Sequence, residues 1–207
     1  MFFCIIGSHS KNKYVDKNSI PDTKLVKFSN KDIPTPEMTT PKENREQSNI
    51  QNLLYSYLMD LNNRESVKDA AIKLNNGNQR NSCVYFVSES LRRIGLELPL
   101  NVCSTGKISV ESSNDNNLSF QLSARGWMYC QNISRLLPGD ICFTTLSKAG
   151  RPTHTYIFKG WAVQGNEDFA YVCDNQSYDY GKTLHLRNIK NALKGKEAFY
   201  YFMFMPK

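Results

Sequence analysis

The order of two sequence patterns, helical periodicity first and strand-type runs afterwards, constrains the fold of this chain more than any other feature. Between residues 49 and 94, large apolar side chains recur at steps of three and four, which is typical of amphipathic helices. From Pro138 onward, short apolar runs are separated by turns that contain Gly, Pro, Asn and Asp, which indicates β-strands. Helices followed by strands predict an α+β domain in which N-terminal helices pack on a C-terminal antiparallel β-sheet.

Three helices are predicted before Gly95. The first begins near Asn49, and its apolar stripe comprises Ile50, Leu53, Leu54, Tyr57, Leu58 and Leu61. The second runs from Ser66 to Leu74 and is ended by the Asn- and Gly-containing segment 75–78. The third runs from Ser82 to Ile94, carries an apolar stripe to bury against the sheet, and has Gly95 as its C-cap.

The C-terminal half contains strand-like runs at Ile141–Thr145, Thr155–Val163, Phe169–Cys173 and Ala198–Met205. The last run is apolar on both faces, which favours an interior position in the sheet. Residues 188–193 are predicted to form a short helical turn before it. The polar segment from Pro99 to Asn117 is interpreted as a surface loop or a substrate-facing insertion.

The N-terminal 48 residues differ in composition from the rest of the chain. They are rich in Lys, Asn, Ser, Thr and Pro, which predicts a flexible tether at 1–48 followed by a single domain at 49–207. The six apolar residues at the start are too short for a complete export signal. One interpretation is the end of an export or lipoprotein leader with Cys4 as the lipid-attachment site, although large Phe2 and Phe3 are unusual there. Membrane contact is expected only through such an anchor, with the domain secreted or at a bacterial cell surface.

The formal net charge of +7 favours an anionic environment such as a bacterial wall or a membrane surface. No nucleic-acid partner is expected, because the basic residues are scattered and no zinc-finger, RNP-type or basic heptad pattern is present. The six cysteines have irregular spacings and form no CxxC or Cys/His cluster, so neither a disulfide framework nor a metal or other cofactor is predicted. Cys142 and Cys173 lie in strand-like runs and are interpreted as buried apolar residues. The domain is expected to be a monomer.

Cys83 is the candidate nucleophile. It opens the third predicted helix, where the helix dipole and unpaired backbone N–H groups favour a thiolate. The candidate base is His154, which follows a Gly-Arg-Pro turn and opens a strand at the sheet end. It is preferred over His185, which follows a loop, and over His9, which lies in the tether.

The residue that orients the imidazole is expected at the end of the next strand. Asp174 and Asn175 stand there, and antiparallel pairing of this strand with the His154 strand would bring its end beside the histidine. Alternation places the two side chains on opposite faces, so only one of them can serve. Asp174 is preferred, but the sequence does not decide between them.

Three blocks taken together, NSCVYFVSESLRRIGLELP, LLPGDICFTT and HTYIFKGW, resemble the NlpC family of cell-wall endopeptidases and the related CHAP amidases, which share a papain-like core. The resemblance covers roughly residues 79–175. Cys83 matches the cysteine that opens the family's helix, residues 138–140 match the turn before its first core strand, and His154 matches the histidine that begins its second strand. The chain departs from the family in having Asn-Ser-Cys-Val around the nucleophile and the bulky Tyr156 after the histidine. The resemblance also implies an oxyanion-stabilising residue upstream of the cysteine, for which Gln79 is the candidate alongside the backbone N–H of Cys83.

The resulting hypothesis is a cysteine hydrolase with a Cys-His-Asp/Asn triad. The resemblance implies peptidoglycan stem peptides as substrates, cut by an endopeptidase or amidase. One alternative is a non-catalytic wall- or partner-binding module on the same fold. Another is a thiol amidase, acyltransferase or deamidase that acts on proteins or lipids as a toxin or effector. Asp140 is interpreted as a structural cap of its turn, and Trp127 and Trp161 as core residues in preference to cleft residues.

Overall fold

We describe residues 45–106, 116–145, 152–190 and 198–207 from a computed structural model of the chain. Its helices are α1 (Asn49–Tyr57), α2 (Leu61–Leu74), α3 (Cys83–Arg93), α4 (Leu118–Ser123) and α5 (Ser177–Tyr180). Its strands are β1 (Met128–Cys130), β2 (Ile141–Thr145), β3 (His154–Val163), β4 (Asn166–Cys173), β5 (Leu184–Asn188) and β6 (Ala198–Phe204). The mixed helices and antiparallel sheet confirm the α+β class.

The six strands form one sheet in the order β1-β6-β2-β3-β4-β5. Every neighbouring pair is antiparallel. Strand β6 lies between β1 and β2, so both of its edges are paired, as expected for a strand that is apolar on both faces. Helix α3 packs against β3, which brings the start of that helix to the sheet.

The core is formed by aromatic and aliphatic side chains of the central strands. Phe143 and Tyr201 are register partners on β2 and β6, and their rings stack with centroids 4.6 Å apart. Cys142 and Cys173 are fully buried, which confirms their interpretation as core residues. A further cluster on the sheet comprises Leu136, Cys142, Tyr156, Phe158, Ala170, Val172, Ile189, Phe202 and Phe204.

The two tryptophans belong to the packed part of the domain. Trp127 is 3% exposed, and Trp161 packs edge-on against Phe158 with ring centroids 5.0 Å apart. Aromatic pairs in this arrangement stabilise beyond the apolar area that they bury. Both positions therefore agree with core packing.

Helix α2 begins at Leu61, not at Ser66 as predicted. The side chain of Asp60 accepts hydrogen bonds from the backbone N–H groups of Asn62 at 2.7 Å and Asn63 at 3.2 Å, so the helix is capped one turn earlier. Leu61, assigned to the stripe of the first helix, instead opens α2 and is 48% exposed. The end of α2 at Leu74 agrees with the prediction.

Several short elements were not predicted. Helix α4, which is capped by the side chain of Asn117, is six residues long, and strand β1 is three residues long, so both are too short for a periodic pattern to stand out in the sequence. Strand β5 was missed because its apolar residues alternate with His185 and Arg187. Asn188, predicted to start a helical turn, is the last residue of β5, and residues 191–193 lie outside the described part of the chain.

The third helix ends as expected, with one shift in position. Ile94 is the C-cap, and Gly95 follows it with φ of 91°, a left-handed conformation that glycine adopts without strain. The backbone N–H of Leu96 donates to the carbonyl of Leu91 at 3.0 Å, which completes the helix end. The predicted loop 99–117 lies partly outside the described residues, and Val102 within it is fully buried.

The buried carboxylate of Asp140 fixes the turn before β2. One of its oxygens accepts from the backbone N–H of Leu137 at 2.7 Å, as expected for a turn cap. The same carboxylate forms an ion pair with Arg45 and a hydrogen bond with Gln51. Residues 1–44 of the predicted tether 1–48 lie outside the described part of the chain. Its last residues, 45–48, are described and are bound to the domain through Arg45.

Candidate active site

Cys83 is the first residue of α3 and lies at the end of a tight turn. Asn81, two residues earlier, has φ of 61°, a left-handed conformation that asparagine tolerates better than most residues. The hydroxyl of Ser82 donates to the carbonyl of Gln79 at 2.8 Å, which ties this turn together. The helix continues with Val84, Phe86 and Val87, which are 3%, 0% and 0% exposed and anchor it in the core. Cys83 itself is 6% exposed and sits where backbone N–H groups have no acceptor within the helix.

His154 is the first residue of β3 and is 4% exposed. The imidazole Nε2 lies 2.8 Å from Oδ2 of Asp174. Cys83 also interacts with this imidazole, and the interaction raises the pKa of His154. Because Asp174 occupies Nε2, Nδ1 is the nitrogen left for the thiol. The structure therefore brings Cys83, His154 and Asp174 together.

The pairing of β3 with β4 explains why Asp174 reaches the histidine. Ile157 is the register partner of Cys173, so the chain leaves β4 beside the start of β3. Asp174 is fully buried, and its second oxygen accepts from the backbone N–H of Gln176 at 2.8 Å. The end of β4 therefore lies beside the start of β3, as antiparallel pairing predicted.

Asn175 does not contact His154. Its side-chain amide donates to the carbonyl of Gln79 at 3.0 Å, on the turn that precedes Cys83. This amide joins the segment after β4 to the start of α3. Of the two candidate orienting residues, the geometry thus places Asp174 on the imidazole and Asn175 on the neighbouring turn.

The charges of the site favour an imidazolium and a carboxylate. Burial alone lowers the pKa of His154, but the hydrogen bonds and charges of Asp174 and Cys83 raise it to about 9. Burial alone raises the pKa of Asp174, but His185, the hydrogen bond and charge of His154, and Arg187 lower it to about 2. At neutral pH the pair is therefore ionised, as a thiolate–imidazolium site requires.

Sequence reasoning weighed His185 only as a rival to His154 for the base, and it did not name Arg187. Both lie on β5, which pairs with β4 so that Leu184 faces Cys173, the residue before Asp174. Nδ1 of His185 lies 3.8 Å from Oδ1 of Asp174, and the guanidinium of Arg187 lies 3.8 Å from Oδ2. The alternation in LHLRN was the available signal, since it puts His185 and Arg187 on one face of a strand.

Gln79, the candidate oxyanion residue, has its side chain directed to another partner. Its amide donates to the hydroxyl of Ser177 at 3.0 Å. Its carbonyl accepts from Ser82 and from Asn175. Gln79 thus connects the turn before α3 with the segment after β4. The candidate oxyanion donors that remain are the backbone N–H groups at the start of α3, where Cys83 lies.

A tyrosine and an arginine lie at the rim of the site. Ser177, the residue before Tyr178, accepts a hydrogen bond from Gln79 on the turn that precedes Cys83. Burial and neighbouring negative charges raise the pKa of Tyr178, and the charge of Arg80 opposes this effect. Tyr178 is 37% exposed, and the guanidinium carbon of Arg80 lies 5.2 Å from its ring centroid. This rim presents an aromatic face and a positive charge to solvent.

Within the described residues, no group of three or more His, Cys, Asp or Glu side chains is arranged to hold a metal ion. In the same residue ranges, no helix is long and apolar enough to cross a membrane. Neither protein-family models, curated proteins nor solved structures give a significant match to this chain.

Proposed function

We propose that this chain is a cysteine hydrolase that cleaves amide bonds. The observation that carries the proposal is the hydrogen bond between Asp174 and Nε2 of His154 at 2.8 Å, together with the interaction of Cys83 with the same imidazole. A thiol, an imidazole and a carboxylate in this order are the parts that nucleophilic catalysis by cysteine needs. The raised pKa of His154 supports the same role, because it favours transfer of the thiol proton to the ring.

In the proposed mechanism, His154 accepts the proton of Cys83 and the thiolate attacks the carbonyl carbon of the substrate amide. The oxyanion that forms is stabilised by backbone N–H groups at the start of α3, including that of Cys83. The intermediate collapses when the imidazolium protonates the leaving amine, which leaves a thioester on Cys83. His154 then removes a proton from water, which hydrolyses the thioester and restores the thiol.

We further propose a papain-like core of the NlpC and CHAP type and peptidoglycan stem peptides as the substrate. The ordered blocks around Cys83, the Pro138–Asp140 turn and His154 support this proposal. Stem peptides carry free carboxylates, which suit the net charge of +7 and the exposed Arg80 at the rim.

One observation favours a second candidate, a non-catalytic binding module. Cys83 is only 6% exposed, and a buried cysteine at a helix start is often an inert packing residue. This candidate predicts a thiol with no unusual reactivity. A thiol amidase or acyltransferase for proteins or lipids shares the proposed chemistry and differs only in substrate.

The test is the rate of alkylation of Cys83 by iodoacetamide between pH 4 and 9, followed by peptide mapping. Cys103 is an exposed free thiol of the same chain and serves as the internal reference. We expect Cys83 to react faster than Cys103 at pH 5 to 6, well below the ordinary thiol pKa of about 8.5. The advantage should disappear in His154→Ala, and the labelled peptide should be lost in Cys83→Ser.

If Cys83 reacts no faster than Cys103 across this range, the hydrolase proposal fails and the binding module is favoured. If Cys83 is activated, peptidoglycan fragments and acidic peptides are tested as substrates, with Cys83→Ser as the inactive control. Activation without hydrolysis of wall fragments would overturn the proposed substrate but not the chemistry.

A further inference from the structure

The carboxylate of Asp174 has a second buried cationic neighbour besides His154. The guanidinium of Arg187 lies 3.8 Å from Oδ2 of Asp174, on the neighbouring strand β5. Arg187 is 4% exposed, which is rare for arginine unless its charge is compensated. This residue has no role in the mechanism derived above, although it faces a carboxylate of the site.

Two further contacts hold the Arg187 side chain in place. Its guanidinium donates to Oε1 of Gln176 at 2.6 Å, and Gln176 also donates its backbone N–H to Asp174. The guanidinium carbon lies 5.4 Å from the ring centroid of Tyr156, which is two residues after His154 on β3. Arg187 is therefore fixed between β3, which carries His154, and the segment after β4, which carries Asp174.

The other groups around Asp174 carry no permanent positive charge. Nδ1 of His185 donates to the carbonyl of Lys182 at 3.2 Å, and burial lowers the pKa of His185, so this ring is neutral at pH 7. The titratable and charged groups that interact with Asp174 from the surrounding elements are His154, Tyr156, Cys173, Tyr178, His185 and Arg187. Of these six, only His154 and Arg187 are cationic at neutral pH.

We propose that Arg187 is a positioning residue that balances the charge of the site, so that Cys83 can be a thiolate while His154 is an imidazolium and Asp174 a carboxylate. With Arg187 present, two anions and two cations sum to zero. Without it, the same ionised state holds one unpaired negative charge in a buried site, and the thiolate then takes up a proton more readily. This inference rests on the proposed function, because it assumes a reactive Cys83.

The test is the pH profile of Cys83 alkylation in Arg187→Gln, Arg187→Lys and the full-length wild-type chain. Arg187 lies 3.8 Å from Asp174 and acts on Cys83 through Asp174 and His154. An opposite charge in direct contact shifts a pKa by about one unit or more, so we expect this indirect effect to move the acid limb up by as much as about one pH unit in R187Q. The alkylation rate at pH 5 should fall by as much as about tenfold. R187K keeps the charge, and we expect its rate to stay within about threefold of wild type.

Arg64→Gln is the matched control. Arg64 is also buried, at 5% exposed, and donates to the carbonyls of Leu58 and Met59 at 2.8 Å, with no contact to Cys83 or His154. We expect no shift of the acid limb in R64Q. A wild-type acid limb in R187Q, or an equal shift in R64Q, would overturn the inference. An unreactive wild-type Cys83 would instead sink the proposed function, so the two failures can be told apart.

If R187Q fails to fold, a double variant shows whether charge imbalance or lost packing is the cause. If charge imbalance causes the failure, R187Q combined with Asp174→Asn removes both charges and should regain a cooperative thermal transition. If the double variant remains unfolded, Arg187 serves packing and the inference is overturned.

Discussion

Replacement of Asp174 by asparagine separates the charge of this residue from its size. The side chain keeps an oxygen that can accept a hydrogen bond, but the negative charge 2.8 Å from Nε2 of His154 is lost. The pKa of His154 is raised from 6.5 to about 9, a difference of about 2.5 units. At 1.36 kcal/mol per unit, Asp174 and Cys83 together favour the charged imidazole by about 3 kcal/mol after the opposing effect of burial. His154 is 4% exposed, so solvent screens little of this effect.

In D174N, burial still lowers the pKa of His154 and only Cys83 still raises it, so we expect this pKa to fall by about two units. The assay is an NMR titration of the imidazole in the folded variant, with His154→Ala to assign the signal. If the proposed hydrolase activity is present, a loss of about 3 kcal/mol corresponds to a decrease in kcat/KM of about a hundredfold.

Asp168→Asn is the matched control for this substitution. Asp168 lies on β4, the strand that ends at Cys173, but its side chain is 37% exposed and pairs with Lys190 at 3.4 Å. We expect D168N to leave the pKa of His154 unchanged. A pKa that stays near 9 in D174N would refute the argument that Asp174 charges the imidazole.

Three other predictions concern the turn before β2 and the rim of the site. Gly139 has φ of 90°, and a Cβ there would clash with the carbonyl of Gln51, so G139A should lower the unfolding free energy by about 2 kcal/mol or more. Gly165 has φ of 76° but lies in open space, so Gly165→Ala should lower it by only about 1 kcal/mol. Equal losses of the two variants in urea unfolding would contradict this prediction. Burial raises the pKa of Asp140 to about 7 although Arg45 opposes the shift, so the ion pair with Arg45 forms fully only above about pH 7. Below that pH the folded chain holds a proton that the unfolded chain releases above about pH 4, and stability falls as pH rises from about 4 to 7. In Asp140→Asn, the loss of unfolding free energy between pH 5 and pH 7 should shrink by about 2 kcal/mol, and an unchanged loss would show that Asp140 is ionised throughout. If the proposed hydrolase activity is present, Arg80→Gln should raise KM for acidic peptides with little change in kcat, and an equal rise for neutral peptides would exclude charge recognition.

The fold class followed from the sequence because its signals are local. Apolar residues at helical steps, the Asn-Gly stop after Leu74 and the turn residues between strands act over a few neighbours. The start of α2 was misplaced because Asp60, a cap, was not weighed against the apolar stripe. Strand β5 was missed because a buried histidine and a buried arginine read as polar surface residues.

The candidate site was predictable in part. Cys83, His154 and Asp174 were named from their positions at the ends of elements, and antiparallel pairing made the meeting of Asp174 with His154 an expectation. The choice between Asp174 and Asn175 was open, since it depends on the twist and register at the end of β4. The hydrogen bond from Gln79 to Ser177 joins residues 98 positions apart and has no local signal.

The sequence by itself determined the α+β class, the helix that Cys83 opens and the strand that His154 opens, because periodicity and turn chemistry are properties of short segments. Only the tertiary structure decided that Asp174 and not Asn175 contacts the imidazole of His154, and that Arg187 lies beside Asp174. Those contacts arise when β3, β4 and β5 pair in one register, and a shift by one residue would turn every side chain to the other face. Backbone pairing between strands brings residues that are far apart in the sequence into contact. The arrangement of charged groups around Asp174 therefore exists only in the folded chain and has no signal in any short segment.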